Sequence, residues 1–211
     1  MTAPAMDHPF FARLWITMSA HETEAMTRLR RENLAGLTGR VLEVGAGTGT
    51  NFAFYPDTVT EVVAVEPERR LAEHARTAAS TAPVAVEVHE HPAEAMEEAG
   101  PFDAVVCSLV LCSIDDAETV LRQLYSMLRP GGELRFLEHV ASSGFRGRLQ
   151  QTADATFWPR LFGNCHTHRD TEHAIKNAGF EMVTDRHQWT LPRWAPLPVS
   201  EFALGRAVRP V

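Results

Sequence analysis

The stretch Arg40-Val-Leu-Glu-Val-Gly-Ala-Gly-Thr-Gly-Thr-Asn51 decides how this chain folds. Residues 40–44 form a short, mostly apolar run that reads as a buried strand. Gly45, Gly47 and Gly49 follow at alternate positions. Such a loop turns tightly into a helix and lets a ligand approach backbone that carries no Cβ. A second apolar run, 61–65, ends on Glu66, which follows Gly45 by 21 residues. An acidic side chain at the end of the second strand of a strand-loop-helix-strand unit can accept both ribose hydroxyls of an adenosine. Either feature alone also fits a plain β-to-α turn; together they point to a nucleoside cofactor.

Outward from this unit the pattern repeats. Residues 68–80 read as a helix, 84–88 and 103–108 as strands, and 117–128 as a helix with Asp115 or Asp116 as its N-cap. Arg129-Pro-Gly-Gly132 reads as the stop of that helix, and 133–138 as a fifth strand. Strands alternating with helices pair in parallel through right-handed crossovers, with helices on both faces. Upstream, Phe10, Phe11, Leu14, Trp15 and Met18 recur at helical spacing, and 22–34 reads as a charged surface helix. Downstream, 146–161 and 171–178 read as helices. Residues 180–186 and 201–208 read as strands of a terminal hairpin, joined by a loop containing Trp189, Pro192, Trp194, Pro196 and Pro198. The 211 residues suit one α/β domain. Its expected parts are a helical cap over 1–36, a cofactor-binding core over 37–140 and an acceptor-side region over 141–211.

Composition removes several classes of partner. A formal net charge of −7 builds no basic face, so no nucleic-acid partner is expected. Cys107, Cys112 and Cys165 are odd in number and form no Cys-x-x-Cys pair, which points to a reducing, cytoplasmic setting. Residues 1–7 carry no secretory pattern, and no apolar run reaches the ~18 residues of a membrane span. No membrane partner is expected, and the chain is read as a monomer or homodimer.

The glycine spacing bears on the cofactor. A dinucleotide fingerprint reads Gly-x-Gly-x-x-Gly, with the pyrophosphate at a helix N-terminus. Here the third glycine comes one position early, at Gly49, and Thr50 takes its place. S-adenosylmethionine (SAM) has no phosphate and needs an acid near its cationic end. Glu43, just ahead of the glycines, suits that task; the competing role is a solvated carboxylate at a strand end.

The ordered series Val41-to-Asn51, Val65-Glu-Pro67, Pro92-Ala-Glu-Ala95, Phe102-Asp-Ala-Val-Val106 and Leu128-Arg-Pro-Gly-Gly132 resembles class I SAM-dependent methyltransferases. The resemblance implies a Rossmann-like, doubly wound seven-stranded sheet of order 3-2-1-4-5-7-6, with strand 7 antiparallel. It implies cofactor contacts from Glu43, Gly45, Ala46, Gly47, Thr48, Gly49 and Asn51. It further implies Glu66 and Pro67 at the ribose, Ala93 and Glu94 beside the adenine, and Ser108 and Leu109 under the methionyl part. Val106-Cys-Ser-Leu-Val-Leu-Cys-Ser113, Phe136-Leu-Glu-His-Val140, Gly163-Asn-Cys-His-Thr-His-Arg-Asp-Thr171 and Ala178-Gly-Phe180 resemble, more narrowly, the thiol (alkyl thiol) methyltransferases of animals and their bacterial relatives. The animal members carry a long apolar N-terminal anchor that this sequence lacks.

The expected reaction is in-line methyl transfer to a small, apolar acceptor: a thiol by resemblance, otherwise a hydroxyl or amine. Alignment in a dry pocket supplies much of the acceleration, and hydroxyls or amines gain further from a base. His139 is the first candidate base, with Glu138 orienting it or acting itself. His166 and His168, beside Cys165, are the second pair. Their Cys-His-x-His spacing, even with His173, matches no common zinc arrangement, so no metal is expected. Trp15, Cys112, Trp158 and Trp189 are candidates for the acceptor wall. Phe157 and Trp194 are further aromatics there. The rival readings are an NAD-dependent oxidoreductase and a non-catalytic SAM-binding sensor or partner subunit.

Overall fold

A computed structural model describes residues 7–96, 100–190 and 197–211. Pro192, Trp194 and Pro196, and the first six residues of the N-terminal segment, lie outside the described residues. The strands are β1 (Gly39–Val44), β2 (Val59–Val65), β3 (Ala85–His89), β4 (Phe102–Ser108), β5 (Leu128–His139), β6 (Glu181–Trp189) and β7 (Glu201–Val208). They form one sheet of order β3-β2-β1-β4-β5-β7-β6. The first five pair in parallel, and β7 runs antiparallel to both β5 and β6.

The helices are α1 (Pro9–Ala20), α2 (Glu24–Leu34), α3 (Arg69–Ala79), α4 (Ala117–Met127), α5 (Gly144–Ala155), α6 (Trp158–Leu161) and α7 (Thr171–Asn177). Side-chain caps explain several starts. Thr23 accepts the N–H of Met26, Glu68 that of Leu71, Asp116 that of Thr119 and Asp170 that of His173. One apolar layer joins Leu42, Val105, Leu121, Leu124, Leu134 and Phe136; a second joins Leu34, Val41, Phe52, Val62 and Val106 on the opposite face. Neighbouring residues of β1 and β4 contribute to different layers, as strands covered on both sides require.

Three expectations change. The helix expected over 146–161 is two, because Pro159 can neither donate to nor clear the carbonyl one turn back. Arg129-Pro-Gly-Gly132 ends α4 but belongs to β5: Leu128 pairs with Phe102, and Gly131 and Gly132 exchange hydrogen bonds with Arg209. The supposed surface helix buries Leu29, Arg30, Asn33 and Leu34.

Candidate active site

Ligands of open parallel sheets bind beyond the C-terminal strand ends, where the winding direction reverses. Here that point lies between β1 and β4, and it opens into a cavity of about 750 Å³. The glycine loop forms its floor. Gly45, Gly47 and Gly49 have φ of 64°, 58° and 78°, a left-handed region costly for other residues. The space they leave is used by the protein itself. A Cβ on Gly45 would strike Val110 at 2.3 Å, one on Gly49 the Phe52 ring at 2.7 Å, and one on Gly47 the Trp15 indole nitrogen at 2.9 Å. Trp15 thus lies over the loop from α1. Thr48 and Gly49 stand outside the cavity wall; the Thr48 hydroxyl donates to Ser19 Oγ and so ties the loop to α1.

At one end of the cavity stands Glu66, only 5 % exposed. Its oxygens accept the N–H groups of Gly47 (2.8 Å) and Glu68 (2.9 Å). A carboxylate has about four lone-pair positions, so roughly two stay available to a diol. Burial raises its pKa to about 7 against the pull of these two donors. Pro67, Ala93 and Glu94 continue this wall.

Around the loop's other side lies a buried polar network. Asn51 Nδ2 donates to Glu43 Oε1 (2.9 Å) and to Ser108 Oγ (3.2 Å), and Tyr55 donates to Glu43 Oε2 (2.7 Å). Arg30 donates to Asn51 Oδ1 (3.0 Å) and pairs with Glu22. Asn51 is thereby committed to holding Glu43. Burial raises Glu43 to about 7, opposed by Tyr55, Asn51 and Arg30. Leu109, at φ 61°, turns the chain from β4 past this network. Glu43, Gly45, Ala46, Gly47, Asn51, Ser108 and Leu109 all reach the cavity wall.

At the acceptor end, Cys112, His139, Cys165, Trp158, Phe162 and Phe202 share the wall. Cys165 Sγ lies 3.5 Å from Cys112 Sγ and 3.7 Å from His139 Nδ1. The His139 ring packs on Phe202 at 4.8 Å, and Trp158 stacks on Phe162 at 4.1 Å. The contact with Cys165, and then burial, push the Cys112 thiol well above its ordinary range.

A family model described as a methyltransferase domain matches residues 18–185. The chain is 34 % identical to the thiol S-methyltransferase TMT1B of Mus musculus, over 94 % of this chain and 82 % of the relative. The chain belongs to the methyltransferase domain family. It is also 33 % identical to the human thiol S-methyltransferase TMT1A, over 83 % of this chain and 76 % of that one. In fold it is similar to the N-methyltransferase NodS from Bradyrhizobium japonicum, solved with S-adenosyl-L-homocysteine (SAH), at a TM-score of 0.66 and 18 % identity, covering 89 % and 87 % of the two chains. The [4+2]-cyclase SpnF is similar to the same degree (TM-score 0.67, 18 % identity, 89 % and 80 % covered), so likeness of fold alone does not assign a reaction.

The methyltransferase is thus an enzyme that uses SAM, and the nicotinamide and non-catalytic readings are not favoured. Besides Thr48 and Gly49, four expected site residues lie elsewhere in this methyltransferase. Glu138 is fully buried, and its carboxylate accepts the backbone N–H groups of Val110, Leu111 and Cys112, so it shapes the turn after β4 rather than facing the cavity. His166 and His168 stand outside the cavity wall: the backbone N–H of His166 donates to Cys112 O, and that of His168 to Asp154 Oδ2. Trp189 belongs to β6 and lies under the Arg146 guanidinium. Sequence reasoning passed over Arg30, Glu22 and Tyr55, whose charges and hydroxyl look solvated on a helix or turn. It also passed over Asp154, which holds the 165–168 loop through Thr167 and His168.

Proposed function

We propose that this methyltransferase moves the methyl group of SAM onto the sulfur of small, apolar thiols. The observation that carries the reading is the acceptor wall, where His139 and two thiols sit among Trp158, Phe162 and Phe202. Its similarity to the mouse and human thiol S-methyltransferases supports the same reading. Bound SAM supplies an electrophilic methyl group on its sulfonium sulfur. Glu66 accepts the ribose hydroxyls while Gly47 and Glu68 hold it in place, and Glu43 faces the cationic amino-acid part. His139 takes the proton that a thiol must lose before its sulfur becomes a strong nucleophile. Trp15 and Trp158 exclude water. The three cysteines are free and buried, which fits a reducing compartment. Among the described residues, no helix is long and apolar enough to cross a membrane.

The test is product analysis by mass spectrometry with SAM and matched thiols, phenols and amines. Methyl thioethers should form fastest, and His139→Ala should slow turnover more than it weakens SAH binding. Methylation of the phenols or amines but not of the thiols would overturn the proposal.

A further inference from the structure

We infer that Cys112, His139 and Cys165 form a binding site for a thiophilic divalent cation of the zinc class, with its fourth position open to the acceptor end of the cavity. The second half of this statement, that an acceptor thiolate takes the open position, rests on the thiol reading above; the first half does not.

The three ligand atoms, two Sγ and one imidazole nitrogen, lie within 4.8 Å of one another. A tetrahedral zinc with bonds of about 2.3 Å to sulfur and about 2.0 Å to nitrogen places two thiolates about 3.7 Å apart and a thiolate about 3.5 Å from the nitrogen. In the structure the separations are 3.5 Å between the sulfurs and 3.7 Å from Cys165 Sγ to His139 Nδ1. These two separations lie within tenths of an ångström of the tetrahedral values. Two thiolates and an imidazole are a donor set that soft, borderline cations prefer over magnesium or calcium. Three protein ligands with one open position are the arrangement of catalytic rather than structural zinc.

The ligands are also held from outside. The Glu138 carboxylate fixes the backbone of Val110, Leu111 and Cys112. The N–H of His166 donates to Cys112 O at 2.8 Å, which ties the two cysteine loops together. Asn164, at φ 64°, donates to Ser113 O (2.9 Å) and Asp115 Oδ1 (2.7 Å), pinning the loop before Cys165 onto the turn after β4. Outer contacts of this kind orient metal ligands and are part of a working site. The 165–168 histidines, which share a sequence motif with Cys165, take no part.

Each thiol gives up its proton to water as its sulfur bonds the cation, so two protons leave on loading and the site becomes formally neutral. An acceptor thiol entering the fourth position loses a third proton to water. The cation then does what His139 does alone in the metal-free protein, and His139 becomes a ligand.

The test loads the whole, phosphine-reduced protein with Co²⁺ and Zn²⁺. One cation per chain should bind, with a thiolate-to-cobalt charge-transfer band. Cys107→Ser, in the β4 interior, should keep it. Cys165→Ser and Cys112→Ser should each at least halve the band and weaken binding, and His139→Ala should weaken binding at least tenfold; any one of the three that folds decides. Benzyl mercaptan should then shift the cobalt spectrum saturably, whereas benzyl alcohol should not. Absence of stoichiometric cation, an undiminished band in Cys165→Ser, or a Cys112–Cys165 disulfide as the pair's only chemistry would overturn the site. A bound cation indifferent to benzyl mercaptan would overturn the open position. Thiol methylation by fully chelated protein would overturn the cation's role while leaving the thiol reading intact; a loaded site without thiol methylation would do the reverse.

Discussion

Gly47→Ala probes the cofactor cradle with a single methyl group. Two costs can be worked from the structure. At φ 58° an L side chain is strained by roughly 1–2 kcal/mol. The new Cβ would also lie 2.9 Å from Trp15 Nε1, so the indole must leave its rotamer well, at about 1 kcal/mol. The sum, about 2–3 kcal/mol, should lower Tm by roughly 4–12 °C in a chain of this size. Affinity for SAH should fall at least tenfold by calorimetry, because the same residue anchors Glu66 and carries Trp15. Trp15→Ala in the same chain removes the clash but not the backbone strain. The double mutant should therefore recover about 1 kcal/mol relative to additivity. Additive effects within about 0.4 kcal/mol, or unchanged SAH affinity in Gly47→Ala, would refute the packing of Trp15 on the loop.

Glu66→Ala should weaken SAH binding by about 1–3 kcal/mol, the scale of lost hydrogen bonds to a charged group; equal Kd values by calorimetry would remove Glu66 from the site. The pKa of Glu66 is raised from 4.5 to about 7 by burial, so its favourable contribution to the folded state is full below pH 4.5 and is lost as pH rises through 7. Glu66→Gln cannot ionise; in urea unfolding without ligand its stability relative to wild type should rise between those pH values, by up to about 3 kcal/mol, and a pH-independent difference would contradict the burial. Glu138→Gln offers one acceptor oxygen where three N–H groups converge, so it should cost about 1–3 kcal/mol in stability, and a neutral result in the same assay would show that the turn after β4 does not depend on it.

What was readable from sequence follows from how local the information is. The link between Gly45 and Glu66 is legible because a strand-loop-helix-strand unit brings them together whatever surrounds it. The apolar runs announce strands, but they carry no record of which strands are neighbours; the insertion of β7 between β5 and β6 came from resemblance to a family. Arg30 was not legible, because a charged residue on a charged helix looks the same whether it faces water or Asn51. Pro159 was legible and was overlooked, at the cost of reading α5 and α6 as one helix. Cys112, His139 and Cys165 lie 27 and 26 residues apart, too far for any spacing motif. Only the adjacency of β4 and β5, with the loop before α7 folded over their ends, makes them a group.

Strand order also constrains how the molecule is born. Among the described residues β6 pairs with β7 alone, which is made later and must slide in between β6 and β5. During synthesis β5 therefore waits as an open border with unanswered amide groups, a template for a neighbouring nascent chain. Glu133 and Arg135 place charge along that border, and in the finished sheet Glu133 meets both Arg135 and Arg206 of β7. The same carboxylate that locks the seam once β7 arrives would discourage a stranger's strand before it does.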